Sequence, residues 1–276
     1  AAELLSSFDS QDYATVLVLL VHEISQISDF SDGWIFNESL LYLLQSLLLN
    51  EANSLEFMDA VTRIFTKLQS ILEKSLSCVF VNCRIILLIP KLLEKIMDSF
   101  PNVRDLVQNF LFLSLDFALS QDNELIKSAT LISFTYYSYF AELPSVLGPD
   151  NCIQVQQKTL KLIAQLYPEA EDDTDGVLME VLDNVIDCNS ENVDDTSSII
   201  QTKFHLVFTI SSKDPSNIQT TIELQECLGK LLKNVDVKTF ITFWEICFPP
   251  MVNVMIGSAH SCLLYTSDAA DDGESV

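Results

Sequence analysis

Apolar residues recur at helical spacing through most of the chain. Val177, Leu178, Val181, Leu182, Val185 and Ile186 fall on one stripe, with Glu180, Asp183, Asn184 and Asp187 opposite. Intervals of three and four place such residues on one side of a helix. Leu106, Phe110, Leu113 and Phe117 form a second stripe, and Leu224, Leu228, Leu231 and Leu232 a third. No period-two alternation persists, so strands are not expected. Helix start signals punctuate these stripes: Asp32-Gly33 before Trp34, a capping-box pattern from Asn53 to Glu56, Asp122-Asn123, Asp150 after Gly148-Pro149, and Asp214-Pro215.

The spacing predicts helices over about 12–28 and 34–50, 54–74 and 78–99, 102–120 and 123–142, then 151–167 and 175–188, 194–211 and 215–233, and 237–256. The second members of these pairs start near 34, 78, 123, 175 and 215, at intervals of 44, 45, 52 and 40 residues. A mean near 45 falls inside the roughly 40–47 of HEAT or armadillo repeats. The expected fold is all-α, a right-handed α-solenoid of about five to six HEAT-type hairpins over residues 1–261. Residues 262–276 are expected to be a non-native tail, because Cys262–Asp272 resembles translated sequencing-adapter read-through. The start lacks Met and reads as a cut from the middle of a longer protein. Pro90, inside an apolar helical run, is expected to remove one backbone bond and kink its helix. Lys67, Lys74, Arg84, Lys91 and Lys95 gather on adjoining helices, either as solvated faces or as an internal patch meeting a neighbour's acids.

Composition supports this reading. Apolar residues make up 49% of the 276, with only six glycines and eight prolines, too few turn formers for an all-β chain. Charge adds a direction: 39 Asp+Glu against 15 Lys+Arg give a net of −24. Such a surface suits basic proteins and not phosphate backbones, so no direct nucleic-acid partner is expected. Eleven acids and one base lie between Lys161 and Ile200. Within that window Glu169, Glu171, Asp172, Asp173 and Asp175 crowd a short inter-helix segment, and Asp194 and Asp195 extend it. These seven are the candidate partner-binding residues, a docking or steering site for a basic protein; a plain solvated loop is the other reading. An EF-hand alternation is not met there.

Reaction chemistry has little to stand on. The three histidines, His22, His205 and His260, belong to no recognisable catalytic or metal motif, and His22 and His205 sit in apolar surroundings that suggest core or boundary positions. The seven cysteines form no C-x-x-C pair and read as small buried hydrophobes. No catalytic residues, cofactor or metal are expected. Trp34 and Trp244 read as packing anchors, and Asn37-Glu-Ser39 as a chance glycosylation sequon. No signal peptide is apparent, and apolar runs such as Val16–Val21 are too short to span a bilayer, so no membrane insertion is expected.

Several segments carry a family likeness. Trp34-x-x-x-Glu38-x-x-Leu41-x-x-Leu44 resembles the tryptophan–glutamate pattern on a second HEAT helix of the importin-β (karyopherin-β) nuclear transport receptors. Phe80-Val-x-Cys83-Arg84, then Asp105-Leu-Val-Gln-Asn-Phe110, resemble the following repeats, and Gly176–Asp183 is similar to a later one. The likeness runs from about Trp34 to Met255. It implies a non-catalytic receptor that wraps basic cargo such as histones and transcription factors. It also implies control by the GTPase Ran, contact with nuclear pore proteins through the full-length receptor, and residence in cytoplasm and nucleus. A static HEAT scaffold of an intracellular enzyme complex is the alternative.

Overall fold

The computed structural model describes residues 10–48, 55–73, 78–96, 103–136, 147–168 and 177–183, with separate positions between 202 and 256. Seven full helices are described: α1 (Ser10–Gln26), α2 (Trp34–Leu47), α3 (Leu55–Glu73), α4 (Val79–Ile96), α5 (Val103–Ser120), α6 (Glu124–Thr135) and α7 (Pro149–Leu166). Residues 177–183 are also helical, and no strand occurs among the described residues. The chain divides into two compact units, Ala1–Tyr139 with Ser145–Leu147, and Phe140–Pro144 with Gly148–Val276.

In the first unit the packing follows one rule. Each helix lies against its hairpin partner (α1 on α2, α3 on α4, α5 on α6) and against its counterpart in the next hairpin (α1 on α3 on α5, α2 on α4 on α6). The step from α4 to α5 completes the set. This is the contact pattern of stacked hairpins, and with the helical content it makes this unit an all-α solenoid of HEAT type. Helices α2, α4 and α6 begin at 34, 79 and 124, an even advance of one repeat.

Local sequence explains where the helices start. Before α2, Gly33 takes a left-handed conformation (φ 61°) that a side chain would strain, and its carbonyl accepts from Phe36 and Asn37 N–H at 2.9 and 3.2 Å. Buried Asn37 then donates its amide to the carbonyls of Phe30 (3.1 Å) and Asp32 (2.7 Å), tying the entry turn to the helix. The sequon is therefore an internal polar lock. At α6 it is Asn123 that caps, its Oδ1 accepting from Ile126 N–H at 3.2 Å.

The core runs along the interior of the stack: Leu17, Ile24, Leu41, Leu44, Ile64, Leu68, Phe110, Leu111, Leu131 and Phe134 are fully buried. Helix α4 touches α2, α3, α5 and α6, and it is apolar on nearly every side for that reason. Val81, Ile85, Ile86, Leu88, Ile89 and Leu92 have no accessible surface. The helix continues through Pro90. Ser114 on α5 and Thr130 and Ser133 on α6 are buried and donate to the Leu111, Ile126 and Thr130 carbonyls of their own helices.

In the second unit, α7 starts at Pro149 in the first turn, after Gly148 at positive φ (74°). Cys152, Val155, Leu162 and Ile163 form its buried face. Leu178, Met179, Val181 and Leu182 bury one side of the 177–183 helix, and Leu206, Val207, Ile210 and Cys227 are buried further along. The expected spans agree with the helices to within a few residues where both are described. Helix α6 ends at Thr135 with Tyr136 as its C-cap, short of the expected 142; the Asn53 and Asp214-Pro215 start signals and the tail 262–276 lie outside the described residues.

Because α4 is enclosed by four neighbours, Ile89→Ala should leave a cavity that no adjacent surface can collapse into. It is expected to cost about 2–5 kcal/mol, whereas Leu19→Ala, on an exposed side of α1, should change stability by less than about 0.5 kcal/mol. Urea unfolding of the two variants checks the contrast.

Candidate functional site

The basic residues of the first unit fasten one repeat to the next. Arg84 on α4 donates through Nε to Glu38 Oε1 on α2 at 2.7 Å and through Nη1 to Gln45 Oε1 at 2.9 Å. Its Nη2 lies 2.6 Å from the same Glu38 oxygen, and its guanidinium sits 4.8 Å from the Tyr42 ring centre. A planar fork that bonds two acceptors while stacking on a ring is a task for arginine and not lysine. Lys67 on α3 donates to the carbonyls of Ser25 and Ile27 (2.7 Å), at and just beyond the C-terminus of α1, where carbonyls lack helical partners. It also lies 5.7 Å from the centre of the Phe30 ring, and burial pulls its pKa below the ordinary lysine value. Lys91 covers the Tyr136 ring at 4.7 Å, and burial lowers its pKa as well, with Glu94 opposing and Arg84 adding to the shift.

The second unit repeats the device. Lys213 donates to the Tyr167 carbonyl at 3.0 Å, and Lys230 pairs with Asp183 at 2.5 Å, beside Cys227 at 3.6 Å. These hydrogen bonds join residues 39 to 47 apart in sequence, one repeat length. Of the basic patch expected to meet a neighbour's acids, Arg84 does so at Glu38, whereas Lys67 meets carbonyls and a ring and Lys91 a ring. Lys74 lies outside the described residues, and Lys95 is half-buried in the last turn of α4. Asp183, expected on the solvated side of its stripe, turns inward to Lys230 with its side chain only 16% exposed.

The carboxylates expected to meet a partner stand elsewhere. Glu169, Glu171, Asp172, Asp173, Asp175, Asp194 and Asp195 all lie outside the described residues. What brackets the first five is described. On one side, the Tyr167 carbonyl at the end of α7 is held by Lys213; on the other, the 177–183 helix is held through Asp183 by Lys230. Two cations from the following repeat thus anchor the residues flanking the most acidic stretch, a link that no local sequence signal carried.

One further expectation changes: His22 and His205 are exposed and not core or boundary residues. Trp34 packs at the surface, 39% exposed and stacked on Phe80 of the next repeat, with ring centres 5.1 Å apart and planes 18° from parallel. Trp244 is likewise exposed, against Phe240 and Phe248. Among the described residues no disulfide joins the cysteines, and no cluster of histidine, cysteine and carboxylate could hold a metal. Cys83 is pushed up to about 11, chiefly by burial. No described helix is long and apolar enough to cross a membrane.

Stacked helical hairpins, stapled across one repeat length, define a HEAT-type solenoid. Comparison gives the family. The chain is 47% identical over 220 residues to Importin subunit beta-5 of Saccharomyces cerevisiae, an alignment covering 79% of this chain and 22% of that protein. This chain belongs to the importin-β (karyopherin-β) family, and it spans about a fifth of the relative's length. No family model matches the sequence. A solved, computationally designed cyclic homo-oligomer covers 97% of this chain and 98% of its own at a TM-score of 0.21 and 10% identity, a likeness too slight to bear on the fold.

The Arg84 staple makes a measurable coupling. In a double-mutant cycle of Arg84→Ala with Glu38→Ala, unfolding free energies should depart from additivity by about 0.5–3 kcal/mol; additive values would remove the staple's role. Cys83 should alkylate at neutral pH about a hundredfold more slowly than an ordinary cysteine, since its thiolate is that much scarcer. Peptide mapping by mass spectrometry after timed iodoacetamide exposure reads the rate.

Proposed function

We propose that this chain is a segment of a nuclear import receptor that helps bind and carry basic nuclear proteins, histones and transcription factors among them, under Ran control. Membership of the importin-β family is the observation that carries the reading. The order and spacing of the Trp34–Leu44, Phe80–Arg84, Asp105–Phe110 and Gly176–Asp183 segments resemble the middle of importin nine, an importer of histones and TATA-binding protein. Reversible binding over a large surface is the mechanism: many weak charge pairs raise the encounter rate with a cationic cargo and suppress wrong partners.

Charge distribution supports this assignment. The acids between Lys161 and Ile200 outnumber the bases there eleven to one; of these acids Asp183 is paired with Lys230, while Lys213 is held by the Tyr167 carbonyl. Glu169, Glu171, Asp172, Asp173 and Asp175, extended by Asp194 and Asp195, would screen a basic cargo until Ran–GTP displaces it from the full-length receptor. Nuclear pore proteins would be met by that receptor as it shuttles between cytoplasm and nucleus.

Neutralising Glu169, Glu171, Asp172, Asp173 and Asp175 to their amides should slow association with core histones about tenfold at low salt and flatten the salt dependence. Stopped-flow fluorescence measures both; unchanged rates would leave the segment as a solvated loop. For the receptor role, full-length protein loaded with a histone should release or remodel it on adding Ran–GTP. Retention of cargo at every Ran–GTP concentration would favour a static scaffold instead.

A further inference from the structure

The second residues of α2, α4 and α6 are Ile35, Phe80 and Leu125, one repeat apart, and all three are large, apolar and more than half exposed (66%, 53% and 54%). Trp34 and Phe36 (66% exposed) widen the row at its first member, and the Trp34–Phe80 stack fixes the start of α2 beside the start of α4. Helix α5 joins α4 to α6 as the returning arm between two packed neighbours, so α6 runs parallel to α4 and Leu125 lies at the same end. Three stacked helices therefore present an apolar side chain at one rim, at steps of one interaxial distance, about 8–10 Å.

Among the described residues the exposed charges just before these helix starts are acidic, and Lys67 on α3 is held by the Ser25 and Ile27 carbonyls. Asp29 and Asp32 precede Ile35, and Asp122 and Glu124 flank Leu125; all four are exposed. Residues 28–37, 78–83 and 117–126 contain no Lys or Arg. Arg84, one turn beyond Phe80, is engaged by Glu38 and Gln45, and Lys127 follows Leu125 by two positions, about 200° around the helix. A partner for this rim should be apolar at intervals and cationic between them. A polyproline-II segment has both properties available, because its three-residue turn rises about 9 Å and returns every third side chain to one face. That rise matches the step between the helices, whereas side chains three apart on a β-strand point to opposite faces.

We infer that the rim formed by Ile35, Phe80 and Leu125 binds an extended, proline-containing segment of a partner protein, with an apolar residue at every third position and lysine or arginine between. The three apolar side chains seat on the three helix ends, and the intervening cations face Asp32, Asp122 and Glu124. This surface is separate from the Glu169–Asp195 carboxylates, and the inference does not rest on the cargo reading.

A fluorescent peptide of about fifteen residues repeating Leu-Lys-Pro is the probe, titrated by anisotropy against the 276-residue chain. The triple variant Ile35→Ser, Phe80→Ser, Leu125→Ser should weaken binding about tenfold or more, and Leu125→Ser alone, which keeps the Trp34–Phe80 stack, about threefold. Replacing lysine by glutamate in the peptide should also weaken it at least about tenfold. A peptide of the same composition with its leucines gathered at one end should bind no better than the triple variant does. Unchanged helical circular dichroism shows that the variants fold. Failure of the peptide to bind, equal binding by the triple variant, or equal binding of the rearranged peptide overturns the inference. The amide variant of the Glu169–Asp175 segment should bind the peptide like the parent chain, which keeps this outcome distinct from that of the histone test.

Discussion

A helical hairpin of this chain covers only part of its own apolar surface, and the next hairpin must cover the rest. Helix α4 states the constraint most sharply. Its residues are apolar around nearly the whole circumference, and four other helices are needed to shield them. An isolated pair of helices would leave Ile85, Ile86, Ile89 and Leu92 partly in water, at a cost of about 1.5–3 kcal/mol for each fully exposed side chain. Order in the first unit is therefore a property of neighbours. The polar staples follow from the same constraint, since once apolar faces close, the groups at their margins can reach only the adjacent repeat. Arg84 meets Glu38, Gln45 and Tyr42, Lys67 meets the end of α1, and Lys230 meets Asp183 in the second unit by the same one-repeat step.

This division of labour explains how a strongly acidic chain tolerates its charge. Lys67, Lys91, Arg84, Lys213 and Lys230 are committed to carbonyls, rings and single carboxylates inside the repeats. They neutralise little of the surface. The carboxylate excess has few basic counterparts in the sequence, a balance that would suit a nucleic-acid binder poorly.

Much of the fold was legible in the sequence because helix period and repeat period are both local counts. Starts expected near 34, 78 and 123 are found at 34, 79 and 124. Less legible were the destinations of individual side chains. Arg84 shows why: nothing within ten residues of it indicates Glu38, yet the pair is separated by 46, close to the interval between helix starts. Sliding the sequence past itself by one repeat would have set Trp34 against Phe80 and Glu38 against Arg84 together. Trp34, at the first position of α2, is half-exposed and lies on Phe80, 46 residues later. Asp183 fell on the polar side of a stripe by angle alone, and a lysine 47 residues later turns it inward. The partner-facing acids were picked out by charge density, a signal that says how a segment will interact and nothing of its shape.

Linear stacking of hairpins is most directly tested by distances between spin labels at positions 35, 80 and 125, which mark successive helices without disturbing the core. Backbone separations of about 8–10 Å are expected for 35–80 and for 80–125, and about twice that for 35–125. An outer pair as close as the two inner pairs would mean that the hairpins fold back into a bundle, and the solenoid would be wrong.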